Sequence, residues 1–159
     1  YQKVRSEYTA NLCANVIGQY VFGAVAQMSA VEIIDWYSRQ RAYYSKTIIR
    51  LIKGLKEELP GIILSSPGAA IYIVLDFKNI TPSDFNASKF IEFCSSNGKI
   101  RINSKYYTLL LSPMEGFYNQ KLKGEKQVRI ALVEPESKMK MVPKILSRLL
   151  KNYLKSEKL

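Results

Sequence analysis

The hydrophobic and polar positions in the first part of the chain predict two helices of different character. The stretch from Leu12 to Gln27 is apolar around almost the whole circumference of a helix, and it includes the small residues Gly18 and Gly23. A helix that is apolar on every side is one that is buried. We therefore expect this helix to be covered by another domain or by a second subunit, and we assign residues 1–28 to it and residues 29–159 to a separate domain.

The second helix is amphipathic and begins at a capping box. Ser29 and Glu32 have the spacing at which each side chain accepts a hydrogen bond from the backbone N–H of the other residue. We predict that the helix runs to Leu59, because Pro60 and Gly61 follow. Its apolar stripe consists of Ile33, Tyr37, Tyr44, Ile48, Leu51 and Leu55. At ~1.5 Å per residue the helix is ~45 Å long, more than a small domain needs, so we expect it to bridge to another part of the protein.

The rest of the chain alternates between short strands and helices. The predicted strands are 62–65, 70–77, 99–103, 107–111 and 127–134, and the predicted helices are 86–96 and 142–155. A loop that begins with Ser112-Pro113 continues to Gly124, and Pro143 is tolerated in the first turn of the last helix. Strands mixed with helices on one face predict an α/β fold of the α+β two-layer type, in which a mixed or antiparallel sheet is covered by helices.

Arg129 interrupts the apolar pattern of the last predicted strand, in the sequence Gln127-Val128-Arg129-Ile130-Ala131. A guanidinium group needs water or an anion, whereas its neighbours fit a half-buried strand. One explanation is an outward-facing arginine on an edge strand, where a charge discourages aggregation. The other is a carboxylate site, because the planar guanidinium can hold a carboxylate through two parallel hydrogen bonds. On this segment alone the edge-strand explanation is the simpler one.

Composition narrows the possible functions. The chain has 159 residues, 47% of them hydrophobic and 23% charged, which is the composition of one ordinary globular domain. Histidine is absent, so catalysis by a Ser/His or Cys/His pair is excluded, and no other cluster predicts a metal site. Cys13 and Cys94 fall in apolar helical contexts and are expected to be reduced, as in a cytoplasmic protein. No stretch has the ~20 apolar residues that a membrane-spanning helix needs.

The net charge of +11 raises nucleic acid as a possible partner. The basic residues of the last helix recur at helical spacing opposite its apolar residues: Lys140, Lys144, Arg148, Lys151 and Lys155. Such a pattern is typical of the solvated face of an amphipathic helix. We therefore do not predict a nucleic-acid partner, and a basic nucleic-acid-binding module stays the alternative function.

The order of the short motifs supplies a resemblance to a known family. An apolar helix containing Gln19-Tyr20-Val21-Phe22-Gly23-Ala24 leads into the long helix, and Pro67-Gly68-Ala69-Ala70-Ile71-Tyr72 opens a strand. Ser96-Asn97-Gly98, Ser112-Pro113 and Phe117 then precede the strand with Val128-Arg129-Ile130-Ala131. In this order the chain resembles the C-terminal part of class I/II aminotransferases, the fold-type-I enzymes that use pyridoxal 5'-phosphate. Within that family it is most similar to the aspartate aminotransferases.

The resemblance implies a role for Arg129 and a larger protein around this chain. Arg129 matches the arginine that binds the α-carboxylate of the amino-acid substrate. An N-terminal large domain, a homodimer, and amino-acid and 2-oxo-acid substrates are implied as partners, with residues 1–28 adjoining the large domain. The Schiff-base lysine and the other cofactor-binding residues of the family lie upstream of the matched region. The resemblance therefore implies no catalytic and no cofactor-binding residue in this chain, which alone is expected to be inactive.

Three other basic residues, Lys46, Arg50 and Arg5, do not match the family pattern. Ser45-Lys46 followed by Arg50 has the spacing of a Schiff-base lysine and a phosphate-binding arginine, but it falls on the water-facing side of the long helix, and we attribute it to chance. Dicarboxylate-specific members use a second arginine for the side-chain carboxylate. Arg5 is near the corresponding region but matches it poorly.

Overall fold

The long helix and the cap at its beginning were predicted correctly. In the computed structural model, which describes residues 15–69, 71–120 and 122–157, this helix spans Ala30–Glu58 and is named α2. The Ser29 backbone N–H donates to Glu32 Oε2 at 2.8 Å, and the Glu32 backbone N–H donates to Ser29 Oγ at 3.3 Å. These two bonds form the predicted capping box. Leu51 and Leu55 are buried, whereas Tyr37 is 56% exposed, so the apolar stripe is buried only in the second half of the helix.

Helix α1, Val16–Val25, precedes α2. The side chain of Asn15 accepts a hydrogen bond from the backbone N–H of Gly18 at 2.9 Å and caps its beginning. No residue of α1 is buried. The start of the predicted helix, at Leu12, lies outside the described residues. The structure thus confirms a helix here and leaves its apolar surface exposed.

The chain divides into two compact units, Tyr1–Ala42 and Tyr43–Leu159. The dividing point lies within α2. The predicted domain boundary after residue 28 stays a prediction.

The second unit contains a four-stranded antiparallel sheet made of β1 Ile63–Leu64, β2 Tyr72–Asp76, β5 Ser112–Pro113 and β6 Gln127–Ala131. Its strand order is β1-β2-β6-β5, and a separate hairpin pairs β3 Ile100–Ile102 with β4 Lys105–Tyr107. The predicted loop at 112–124 therefore begins with a strand, because Ser112 and Pro113 pair with Arg129 and Val128. The predicted strand at 107–111 lies earlier, because Asn103 and Ser104 adopt positive φ angles and make a tight turn.

Helices cover one face of the sheet. Helix α3 spans Ala87–Ser96, the short helix α4 spans Glu136–Met139, and helix α5 spans Val142–Ser156. Alternate residues of β2 and β6 enter the core, namely Ile73, Leu75, Val128 and Ile130, each at most 5% exposed. This arrangement confirms the predicted α+β two-layer fold.

Close helix packing joins α2 and α5. A Cβ atom at Gly54 would lie 2.8 Å from Cγ of Pro143, so no larger side chain fits there without movement. Ser147 Oγ donates a hydrogen bond to the Glu58 carbonyl at 3.1 Å and satisfies an acceptor at the end of α2. Pro143 lies in the first turn of α5, as predicted.

Among the described helices, none alone is long and apolar enough to cross a membrane. The pair α1 and α2, which is bent at the break between them, meets that requirement of length and composition only when both helices are counted together.

Candidate anion-binding site around Arg129

Arg129 lies on an interior strand of the sheet. Strand β6 is flanked by β2 and β5, and the cross-strand neighbours of Arg129 are Val74 and Ser112. Val128 and Ile130 point into the core, so the pleat places Arg129 on the opposite face, where it is half-buried. The edge-strand explanation for this arginine is therefore wrong, because β6 has a hydrogen-bonded partner on both sides.

Two aromatic rings contact the guanidinium group. Its central carbon, Cζ, lies 4.4 Å from the ring centroid of Tyr72 and 4.8 Å from the ring centroid of Phe117. Tyr72 is on β2, on the same face of the sheet as Arg129, whereas Phe117 ends the short 3₁₀ turn Glu115–Phe117. At these distances the negative face of each ring attracts the cation.

No acidic side chain neutralises Arg129 within the described part of the chain. Its guanidinium forms no ion pair and donates no hydrogen bond to any described residue. Asp76, at the other end of β2 on this face, accepts hydrogen bonds from the Gln127 side chain at 2.8 Å and from the Lys78 backbone N–H at 2.9 Å. The charge and the N–H donors of Arg129 are thus available for an anion that the described residues do not supply.

The segment that carries Phe117 is attached to the sheet next to the site. The Tyr118 hydroxyl donates to Gln127 Oε1 at 2.7 Å, and the Met114 backbone N–H donates to the Gln127 carbonyl at 3.2 Å. Gly124, with φ +85°, lies beneath Tyr118, where a Cβ atom would come within 2.6 Å of the ring. A residue with a side chain would be strained and would displace Tyr118. The position of Phe117 therefore depends on contacts that run from β6 through Tyr118.

The pair Lys46 and Arg50 has a different environment. Both cations pair with Glu136 of α4, and Lys46 Nζ lies 3.9 Å from Glu136 Oε2. Their side chains are each 57% exposed. This surface ion pair gives both residues a structural explanation, and their surroundings do not fit a covalent cofactor site.

The remaining basic residues lie at the surface. All five basic residues of the predicted α5 face are exposed, and Arg148 Nη1 donates to the Arg101 carbonyl at 3.3 Å. No group of three His, Cys, Asp or Glu side chains in the described ranges could hold a metal ion. Cys94 is free and buried, and burial raises the pKa of its thiol to about 12. Cys13 lies outside the described residues, as does Arg5.

Comparisons with known proteins show what kind of fold holds this site. No protein-family model matches the chain, and no curated protein matches it in sequence. Among solved structures, the α-aminoadipate aminotransferase of Thermus thermophilus is similar to 94% of this chain, with a TM-score of 0.69 and 15% identity. The kynurenine aminotransferase of Pyrococcus horikoshii is also similar to 94% of it, with a TM-score of 0.62 and 20% identity. An archaeal alanine:glyoxylate aminotransferase covers 70% of it, with a TM-score of 0.54 and 18% identity.

This chain has the fold of the C-terminal part of fold-type-I aminotransferases. The resemblance stated from the sequence is confirmed at the level of fold. The chain spans 34%, 33% and 24% of the lengths of these three enzymes, in the same order. It therefore corresponds to the smaller part of an aminotransferase fold.

Sequence reasoning identified Arg129 but not the two rings that contact it. Tyr72 could have been found from its alternation with Val74, which places it on the face opposite Ile73. Phe117 gives no such signal, because a loop residue has no periodicity and its contact with Arg129 depends on strand pairing.

Proposed function

We propose that this chain is the small C-terminal domain of a pyridoxal-phosphate-dependent aminotransferase, in which Arg129 binds the α-carboxylate of the amino-acid substrate. One observation carries the proposal. A half-buried arginine on an interior strand has no acidic partner among the described residues, in a fold shared with aminotransferases. The carboxylate of an organic acid is a ligand that would pair with such a group.

The chemistry of Arg129 suits this role. A guanidinium group is always charged, and its planar arrangement of N–H donors matches the two oxygens of a carboxylate. Two parallel charge-assisted hydrogen bonds fix the orientation of the acid as well as its position. In the complete enzyme this would hold the bond to the α-hydrogen in the orientation that the reaction needs. A lysine would supply the charge without the second, orienting contact.

The cofactor would be held by other residues of the complete enzyme. Pyridoxal phosphate supplies the electron sink for amino-group transfer. Lys46, whose spacing to Arg50 is that of a Schiff-base lysine and a phosphate-binding arginine, is exposed and lies beside Glu136, so its surroundings do not fit a covalent cofactor site. The contribution of this chain is then to bind and orient the substrate acid.

We further propose that the exposed helix α1 contacts the large domain or a second subunit of a homodimer. Phe22 is 79% exposed and Ile17 is 74% exposed. Side chains of this size contribute to stability when an apolar surface covers them. A cytoplasmic location is proposed as well, on the basis of the free buried thiol of Cys94 and the soluble character of the composition.

The decisive experiment replaces Arg129 in the full-length enzyme. Because every amino-acid substrate carries an α-carboxylate, Arg129→Ala and Arg129→Lys should lower kcat/KM for all of them together. Loss of the bidentate contact should cost on the order of 2–4 kcal/mol in transition-state binding. Arg101→Ala is the matched control, since Arg101 is an exposed strand arginine of the separate hairpin. An unchanged kcat/KM in Arg129→Ala, with the fold intact, would show that Arg129 does not bind substrate.

The resemblance to aspartate aminotransferases supports aspartate as the amino donor. The full-length enzyme should then use aspartate with a higher kcat/KM than alanine, kynurenine or 2-aminoadipate, measured with one common 2-oxo acid. A preference for one of the other three donors would reject the aspartate proposal and leave the role of Arg129 untouched.

The chain alone should neither transaminate nor bind pyridoxal phosphate covalently. After the chain is mixed with the cofactor and dialysed, absorbance should show no stoichiometric adduct. A stoichiometric adduct located on Lys46 would contradict this expectation and would reassign Lys46 as a cofactor-binding residue.

A further inference from the structure

Two aromatic rings contact the guanidinium of Arg129, and no acidic side chain among the described residues does. A carboxylate next to the guanidinium would fix it by neutralising its charge and by occupying its N–H donors. A ring attracts the cation through its quadrupole and occupies no N–H donor. The contacts with Tyr72 and Phe117, at 4.4 Å and 4.8 Å from Cζ to the ring centroids, therefore position Arg129 while its charge remains available.

Core packing does not explain why these two rings are where they are. Tyr72 is 40% exposed and Phe117 is 61% exposed, whereas the aromatic side chains of the core, Phe77 and Phe90, are 0% exposed. Burial is the main contribution of an aromatic ring to stability, and these two rings are buried less completely than the core rings. Their common neighbour on this face of the sheet is Arg129.

The strand register brings Tyr72 to Arg129. Tyr72 is directly opposite Ala131 and diagonal to Arg129 on β6. Aromatic side chains reach diagonal neighbours in an antiparallel pair, and the small side chain of Ala131 leaves space for the ring. Phe117 arrives from the loop, whose position is set by the hydrogen bond from Tyr118 to Gln127. The two rings thus come from separate elements, each fixed to the sheet in its own way.

We propose that Tyr72 and Phe117 are positioning residues for the substrate carboxylate. They hold the guanidinium of Arg129 in its binding orientation and leave its charge and N–H donors to the ligand. This inference rests on the proposed function of Arg129 and assigns a role to two residues that do not bind the ligand's carboxylate themselves.

The test separates aromatic from non-aromatic replacements in the full-length enzyme. Tyr72→Leu and Phe117→Leu should each raise KM for the amino-acid donor about tenfold and leave kcat within about twofold. The reason is that the guanidinium is no longer held in its binding orientation and binds the donor's carboxylate more weakly. Tyr72→Phe and Phe117→Tyr, which keep a ring, should each leave KM within about twofold of the value for the unaltered enzyme. Tyr72→Met and Phe117→Met provide a second non-aromatic replacement of similar size. Tyr106→Leu is the matched control, since Tyr106 is 69% exposed and lies on the separate hairpin.

The same replacements in an Arg129→Ala background decide whether the rings act through Arg129. There, Tyr72→Leu and Phe117→Leu should raise KM no further. If Arg129→Ala raises KM and the ring variants do not, the positioning role is rejected and the proposed function stands. A rise that persists in the Arg129→Ala background also rejects it. If Arg129→Ala itself leaves KM unchanged, the proposed function and the positioning role fail together.

Discussion

Helices α1 and α5 show opposite relations between apolar content and burial. Apart from Gln19, α1 contains only apolar residues and glycine, yet it has no buried residue. Helix α5 includes four basic residues and has eight buried ones: Val142, Pro143, Ile145, Leu146, Ser147, Leu149, Leu150 and Tyr153. The difference lies in the arrangement of the apolar residues, since α5 collects them on one side and α1 spreads them around its circumference.

This comparison shows that the distribution of apolar residues around a helix predicts whether the helix can be packed within its own domain. An amphipathic helix has one face for the core of its own domain and one face for water, so its packing can be completed within the chain. A helix that is apolar on all sides keeps an apolar surface after any single contact. It therefore requires more protein around it, and this distinction can be tested by association, by side-chain truncation and by glycine replacement.

The largest expected effect concerns association through α1. Leaving ~400 Å² of apolar surface in water costs about 10 kcal/mol at ~25 cal/mol per Å², comparable to the stability of a whole domain. The isolated chain should therefore self-associate, most simply as a dimer, and a version that begins at Ser29 should be monomeric. Sedimentation velocity over a range of concentrations measures both. Monomeric behaviour of both versions would mean that α1 is covered within its own chain.

Truncation of a core side chain in α5 should have the next largest effect. Leu146 is 0% exposed, and Leu146→Ala should lower the free energy of unfolding by about 2–5 kcal/mol. Val21 of α1 is 66% exposed, and Val21→Ala should change the free energy of unfolding by no more than about 0.5 kcal/mol. Urea denaturation, at concentrations where the chain is monomeric, compares the two. Similar losses for both variants would show that α1 is packed as tightly as α5.

Glycine replacements should distinguish the exposed helix α1 from the close contact between α2 and α5. A Cβ atom at Gly54 would lie 2.8 Å from Pro143 of α5, so Gly54→Ala should destabilise the fold by about 1–3 kcal/mol. No heavy atom lies within 4 Å of a Cβ atom at Gly23 in α1, so Gly23→Ala should be neutral or stabilising by up to about 1 kcal/mol. Thermal unfolding of both variants measures the sign of the change in stability. Loss of stability in Gly23→Ala would place a close neighbour at α1.

The smallest effect, about 1.4 kcal/mol at pH 10, is the dependence of stability on pH that the buried thiol of α3 adds. Cys94 has a pKa of about 12 in the folded chain against 9.0 for an ordinary thiol, because burial disfavours the thiolate. Below pH 9 both the folded and the unfolded states keep the proton. From pH 9 to pH 12 the unfolded state loses it first, so the free energy of unfolding should fall by at most about 1.4 kcal/mol per pH unit.

The control for this effect is Cys94→Ala, in which the other titrating groups are unchanged. The difference between the two stability profiles isolates the thiol, and it should be flat below pH 9 and decline above it. A difference that stays flat to pH 11 would show that the thiol ionises as easily in the folded chain as in the unfolded one.

The elements that local patterns determine were predicted correctly from the sequence. The capping box at Ser29, the end of α2 before Pro60 and Gly61, the helix predicted at 86–96 and the amphipathic α5 all agree with the structure. Each depends on residues within a few positions of one another, so the sequence contains the whole interaction. The α+β class was predicted correctly as well. The role of Arg129, which the family resemblance supplied, stays a prediction.

Pairing between distant segments was decided only by the tertiary structure. Whether β6 is an edge or an interior strand depends on Ser112 and Pro113, which have no strand pattern of their own and pair because the chain returns alongside Val128 and Arg129. The two rings at Arg129 come from residues 57 and 12 positions before it in the chain, by the difference of residue numbers. Hydrophobic periodicity reports which face of an element is buried, but it carries no information on which element lies next to that face. The sequence by itself thus determined that an arginine occurs where a strand should be apolar, and the assembled sheet decided that two aromatic rings, and no acid among the described residues, surround it.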